Sequence, residues 1–185
     1  MFPAEHRALR ELHATARQWR NHWAKLATRL DEPVLNEGSD KAAQLLRELE
    51  PRMAGRPSAQ TLGARLAGLR DVSDLLLERN QAFRTALLDL HHVVTLLDYL
   101  AALARTREDD ELAEWEEDWA LRLTEFETRA RAAAVTLGTD PDGAIAPADG
   151  SSLGRAGAKL GALLGTVGEA IDNSPVGRLS GRRAT

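Results

Sequence analysis

The chain has 185 residues, 43% of them hydrophobic and 28% charged, with a formal net charge of −4. That length suffices for one domain with a buried core, and the acidic balance excludes a nucleic-acid binder that relies on an overall basic field. The absence of cysteine excludes disulfides, thiolate metal sites and cysteine nucleophiles together.

Aromatic residues make up only 4%, and Leu and Ala dominate over Val and Ile. That balance favours helices over sheets, because a pleated surface packs best with β-branched and aromatic side chains. Arg outnumbers Lys 21 to 3, as expected of a GC-rich bacterial genome. The start, Met1-Phe2-Pro3-Ala4-Glu5-His6, lacks an apolar core of the signal-peptide kind. No uncharged apolar run approaches the ~18–20 residues of a membrane span. A cytoplasmic location without a membrane span is the expectation.

The first helix is predicted from about Pro3 to Leu30. Its apolar positions Leu9, Leu12, Ala16, Trp19, Trp23, Leu26 and Leu30 step alternately by three and four, the seam of helical bundles and coiled coils. Asp31-Glu32-Pro33 should end it. A short helix is predicted from Ser39 as N-cap to Glu50, stopped by Pro51, with Leu45, Leu46 and Leu49 inward. A loop follows through Pro57, and Ser58 can cap the next element.

From Leu62 through Ser73, Asn80, Phe83, Leu90 and Leu97 to Ala104 the four–three stepping persists. It predicts one continuous or mildly kinked helix over 58–106, about 70 Å long; the alternative is a break near Arg79-Asn80-Gln81, where polar residues interrupt the seam. Asn80 falls on the seam, where a buried Asn fixes register or oligomeric state; the other reading is a bend that exposes it. The second half is apolar nearly all round, which suits the middle of a bundle.

A turn near Thr106–Asp110 should begin the next helix, about Glu108 to Leu137. Leu112, Trp115, Trp119, Leu123, Phe126, Ala130, Ala133 and Leu137 share one face. Eight carboxylates fall between Glu108 and Asp118, favourable against a helix N-terminus. Gly138 is the expected C-cap. The organisation is therefore a helical bundle over 1–138, a linker over 139–152, a Gly-rich helix over 153–173 and a basic tail over 174–185. The fold class is all-α, an antiparallel four-helix-type bundle with long helices plus a C-terminal Gly-rich helix.

Trp19/Trp23 and Trp115/Trp119 are both i, i+4 pairs, so each pair shares a helix face. The first helix is basic and the fourth starts acidic. The two are expected to pack, with the tryptophans inside and complementary charge along the rim. An aromatic ligand box there, with His91 and His92, is the alternative. A diiron site would need Glu-x-x-His motifs, and the chain has none; Asp89-Leu90-His91-His92 is the nearest match. The five histidines read as surface or boundary residues. No nucleophile elbow or phosphate-binding Gly loop occurs, so no cofactor, metal or catalytic residue is assigned.

Gly157, Gly161 and Gly165 form a small-residue ridge that lets another backbone approach closely, at a helix-propensity cost of up to ~1 kcal/mol per glycine. Its expected use is docking, on this bundle or on a protein partner. The tail Val176-Gly177-Arg178-Leu179, followed by Arg182-Arg183, resembles the C-terminal loading peptides of encapsulin cargo proteins over about eight residues. Arg178 stands where those peptides have a small residue. The resemblance implies cargo of a larger assembly. The leading expectation is a non-enzymatic adaptor or scaffold with a protein partner, also able to form a homodimer through its long helix. Its interface residues would be Trp19, Trp23, Trp115, Trp119, Asn80, Gly157, Gly161, Gly165, Val176 and Leu179.

Overall fold

The computed structural model describes residues 2–53 and 77–148. The chain is all-α over these residues, with no strand among them. Among the described residues four long helices carry the fold: α1 Pro3–Leu30, α2 Pro33–Arg52, α3 Arg79–Thr106 and α4 Asp110–Thr136. A single 3-10 turn, Leu137–Thr139, and a four-residue helix, α5 Pro141–Ala144, complete it.

α1 follows its seam: all seven predicted apolar positions are buried. Glu5 accepts a hydrogen bond from the Phe2 N–H at its N-terminus. Asp31, in the left-handed region at φ 55, ends it with its N–H on the Ala27 carbonyl.

α2 begins earlier than predicted. Pro33 is not only the stop of α1 but the first residue of α2, where a missing N–H costs nothing. Ser39 is therefore no N-cap; it lies within the helix and its Oγ donates to the Arg20 carbonyl of α1 at 3.1 Å. Gly38 sits where the helix crosses the Trp23 ring, and a Cβ there would land on ring atoms of Trp23. Pro51 lies inside the last turn of α2 rather than just after its end.

The continuous helix over 58–106 is not what forms at its described end. Glu78 is extended (ψ 156) and serves as N-cap, so α3 starts at Arg79. Leu77 and Glu78 instead pair with the segment after α5: the Arg79 N–H donates to Ala146 O and the Ala148 N–H to Leu77 O. The first ten residues of the expected linker are thus tied to the start of α3, with Ala144 and Ala148 buried. Asn80, in the first turn of α3, is half-buried and not a core register position. Gly138 lies within the 3-10 turn, not at a helix C-cap.

α1 packs on α2 and on α3, α3 packs on α4, and α2 touches α4 more lightly. Arg79 donates to the Leu30 carbonyl, while Arg107 meets Glu5 at the other end of the same helix pair. α3 is also long and apolar enough to cross a membrane by length and composition alone, and half of its most apolar stretch is buried against the other helices.

Candidate functional site

Two kinds of feature depart from a simple apolar core: ionisable groups inside it, and uncharged faces outside it. The first lies midway along α1. Trp19 and Trp23 meet edge to face at 5.9 Å, and Trp23 also contacts Phe126 of α4 at 5.8 Å. The Trp23 indole N–H donates to the Ala86 carbonyl of α3 at 3.0 Å. Beside them His22 and Asp89 are buried, with Nδ1 and Oδ2 2.6 Å apart, and Gln18 donates to the other Asp89 oxygen at 3.3 Å. His22 is thus not a surface or boundary residue. It sits one position before the Trp23 seam, and its face turns toward α3.

Trp115 and Trp119 take a different partner. Both indole N–H groups donate to Glu48 Oε2 of α2, at 3.1 and 2.8 Å. Burial works against the Glu48 charge, but the hydrogen bonds from Trp119 and Trp115 outweigh it and hold the carboxyl below its usual range. Arg52 and Arg122 stack over the Trp115 and Trp119 rings at 4.2 and 4.1 Å. The tryptophan pairs therefore do not merge into one cluster: the ring contact reaching from α1 to α4 is made by Phe126. Nor does α1 supply the charge that meets the acidic start of α4. Arg105 does so, pairing with Asp110 and Glu117 from the end of α3.

The most unusual group is Glu116, one of the eight carboxylates that begin α4. It is fully buried, and neither of its oxygens has a hydrogen-bond partner. Glu5 of α1 is also fully buried, but it is well bonded. Arg107 reaches Glu5 Oε1 through Nε at 3.1 Å and Nη2 at 3.0 Å, and reaches Asp109 at 2.6 Å. The α3–α4 turn that presents Arg107 contains Glu108 in the left-handed region (φ 60), and Asp109 caps α4 by accepting from the Leu112 N–H. Burial, then the charge of Glu5, pushes Glu116 up to about 8 against the pull of Arg107; Asp109 adds to the rise and Arg52 opposes it. At neutral pH Glu116 is a neutral acid.

Outside, α4 presents Leu121, Thr124, Thr128, Ala132 and Val135, stepping by three or four and so in line. Leu121 is 61% and Val135 70% exposed. The threonine hydroxyls turn back to their own helix, Thr124 onto the Ala120 carbonyl and Thr128 onto the Thr124 carbonyl. What this stripe offers is therefore methyl and alkyl surface. α3 has a similar outward line in Leu88, Thr95, Tyr99 and Ala102, with the Thr95 hydroxyl on the His91 carbonyl.

His91 and His92 are exposed and point to opposite neighbours, His91 to Glu127 of α4 at 3.2 Å and His92 to Glu11 of α1 at 3.1 Å. Neither joins a tryptophan pair, so the aromatic ligand box is not assembled. Among the described residues no group of three or more His, Asp or Glu is placed to hold a metal ion. Gly157, Gly161, Gly165, Val176 and Leu179 lie outside the described residues.

Sequence reasoning missed Glu116, Glu5, Asp89 and His22 as buried groups. A signal existed for Glu116: counting back from Leu123 by 3, 4 and 3 through Ala120, Glu116 and Ala113 traces a second seam of small residues. In comparisons with known proteins, no family model, curated protein or solved structure matches the chain.

Proposed function

We propose that this chain is a non-enzymatic helical interaction protein, an adaptor or scaffold whose four helices form an antiparallel bundle and whose outer α4 face receives a helix of a protein partner. The observation that carries this reading is the stripe Leu121, Thr124, Thr128, Ala132 and Val135. Five positions spanning four helical turns carry no charge, and the threonines within it keep their hydroxyls on the backbone. An outer helix face in water ordinarily carries charge, and a contiguous apolar strip rimmed by polar residues is characteristic of interaction surfaces. Arg122, Glu125, Arg129 and Arg131 flank the stripe and can set the orientation of the partner. α3, although apolar enough to span a membrane, fits a central core helix in this reading, since Asp89 on it faces α1 in a buried polar pair.

The Gly-rich segment 153–173, with Gly157, Gly161 and Gly165, would supply a second docking element. Affinity capture with mass spectrometry from the native host separates the two. The full chain is compared with its Leu121→Asp/Val135→Asp form and with a chain ending at Ala148, which keeps the residues that tie down α3. A partner retained by the shortened chain and lost from the double variant supports α4 as the docking face. A partner lost only from the shortened chain assigns docking to the C-terminal segment instead.

A further inference from the structure

Buried ionised carboxylates are sustained by hydrogen bonds and counter-charges, and one with neither is unstable enough to take up a proton. Glu116 has no hydrogen-bond partner, while the Glu5 carboxylate beside it takes two contacts from Arg107. The charged groups that act on Glu116 come from each element around it: Glu5 from α1, Arg52 from α2, and Arg107 and Asp109 from the α3–α4 turn. Two guanidinium groups thus face two carboxylates when Glu116 is neutral. Ionisation of Glu116 leaves one uncompensated negative charge in a water-excluded place.

We propose that Glu116 is a proton-binding site that keeps the Glu5–Arg107 end of the helices closed while protonated and opens that end to water when it ionises. Arg107 is the moving part. It joins the N-terminus of α1 to the N-cap of α4 through Glu5 and Asp109, so a guanidinium drawn toward an ionised Glu116 loosens both attachments. The other route, water entering to solvate the new charge, separates the same helix ends. The direction and size of the Glu116 shift agree with this, placing the change just above neutral pH. Glu108, held in the left-handed region between Arg107 and Asp109, gives the turn a conformation that can relax once those contacts loosen.

The test uses the full chain with 13C-labelled glutamate side chains, followed by NMR from pH 5 to pH 10, with amide exchange over 105–116 measured in parallel. One carboxyl resonance should titrate near pH 8 and be absent from Glu116→Gln. Exchange, corrected for its intrinsic pH dependence, should rise by up to about tenfold per pH unit as pH approaches that midpoint and level off above it in the native chain. It should stay flat in Glu116→Gln. Glu5→Gln gives an independent arm: removing the neighbouring charge should move the same resonance to lower pH. All glutamates titrating below pH 6 would overturn the proton site. A resonance near 8 with unchanged exchange over 105–116 would overturn the opening.

Discussion

α1 and α4 look alike in the sequence, each a long helix with an i, i+4 tryptophan pair, yet they serve the molecule differently. In α1 the apolar seam is buried from Leu9 to Leu30, and the outward residues include Arg7, Glu11, Arg17 and Lys25. Its inside is apolar and its outside is mostly polar; the ionisable groups inside, Glu5 and His22, are both bonded, while the neutral indole N–H of Trp19 is buried without a hydrogen-bond partner. In α4 both rules are broken: Glu116 is inside without a partner, and Leu121 and Val135 are outside. A helix whose buried ionisable groups are all compensated is accounted for by folding. One whose departures are not compensated has room for something more, and by the two proposals above a proton and a docking face lie there.

Trp23→Ala removes a fully buried ring together with its hydrogen bond to Ala86, and should cost about 3–5 kcal/mol in urea denaturation. A loss under about 1 kcal/mol would mean that α1 does not anchor the core.

Glu116 is expected to give the next largest effect, and one that depends on pH. Its folded-state pKa is raised from the ordinary 4.5 to about 8, so the folded chain holds a proton that the unfolded chain releases. The contribution is fully present below the unfolded value and is lost as pH rises through the folded one. Between pH 6 and pH 8 the native chain should lose about 2–3 kcal/mol from this group. Glu116→Gln should remove that slope, as read by denaturation midpoints at each pH.

Gly38→Ala should cost about 2 kcal/mol, although alanine is the better helix former. The crossing against Trp23 leaves no room for a Cβ, and overpacking of this kind exceeds the propensity gain of ~1 kcal/mol. A stabilised variant would show that α2 can shift away from α1 freely.

The smallest effect belongs to the rim. The hydrogen bond from Arg129 holds Glu37 below the usual carboxylate range, and burial opposes it only in part. A depressed pKa contributes stability above the unfolded value and loses it as pH falls through the folded one. Both side chains are well exposed, so Glu37→Gln should change stability at pH 7 by no more than about 0.5 kcal/mol.

Much of this fold was legible, and the reasons differ by helix. α1 could be read to the residue because its apolar steps are unbroken and a proline stands at each boundary. The start of α2 was obscured by Gly38 and Ser39, which resemble a loop. Yet Leu35, Gly38, Ala42, Leu45 and Leu49 continue a three–four seam once a glycine is counted as a small core residue. The start of α3 was legible only as the alternative, a break near Arg79-Asn80-Gln81, because the stepping itself runs straight through Glu78. What breaks the helix is pairing with Ala146 and Ala148, some seventy residues away. At the start of α4 the buried face is turned relative to the predicted one: Ala113 and Glu116 lie inside, and Trp115 is at the rim. Glu116 was hidden because one carboxylate among eight reads as part of a solvated, dipole-favoured turn.

In the proposed function the outer face of α4 is kept for a partner and not for the fold. The most direct measurement compares the full native chain with its Leu121→Asp/Val135→Asp form, reading thermal stability and partner capture on the same preparations. The account predicts stability within about 0.5 kcal/mol of the native chain, as is usual for exposed positions, together with loss of the captured partner. Unchanged capture at unchanged stability would contradict it.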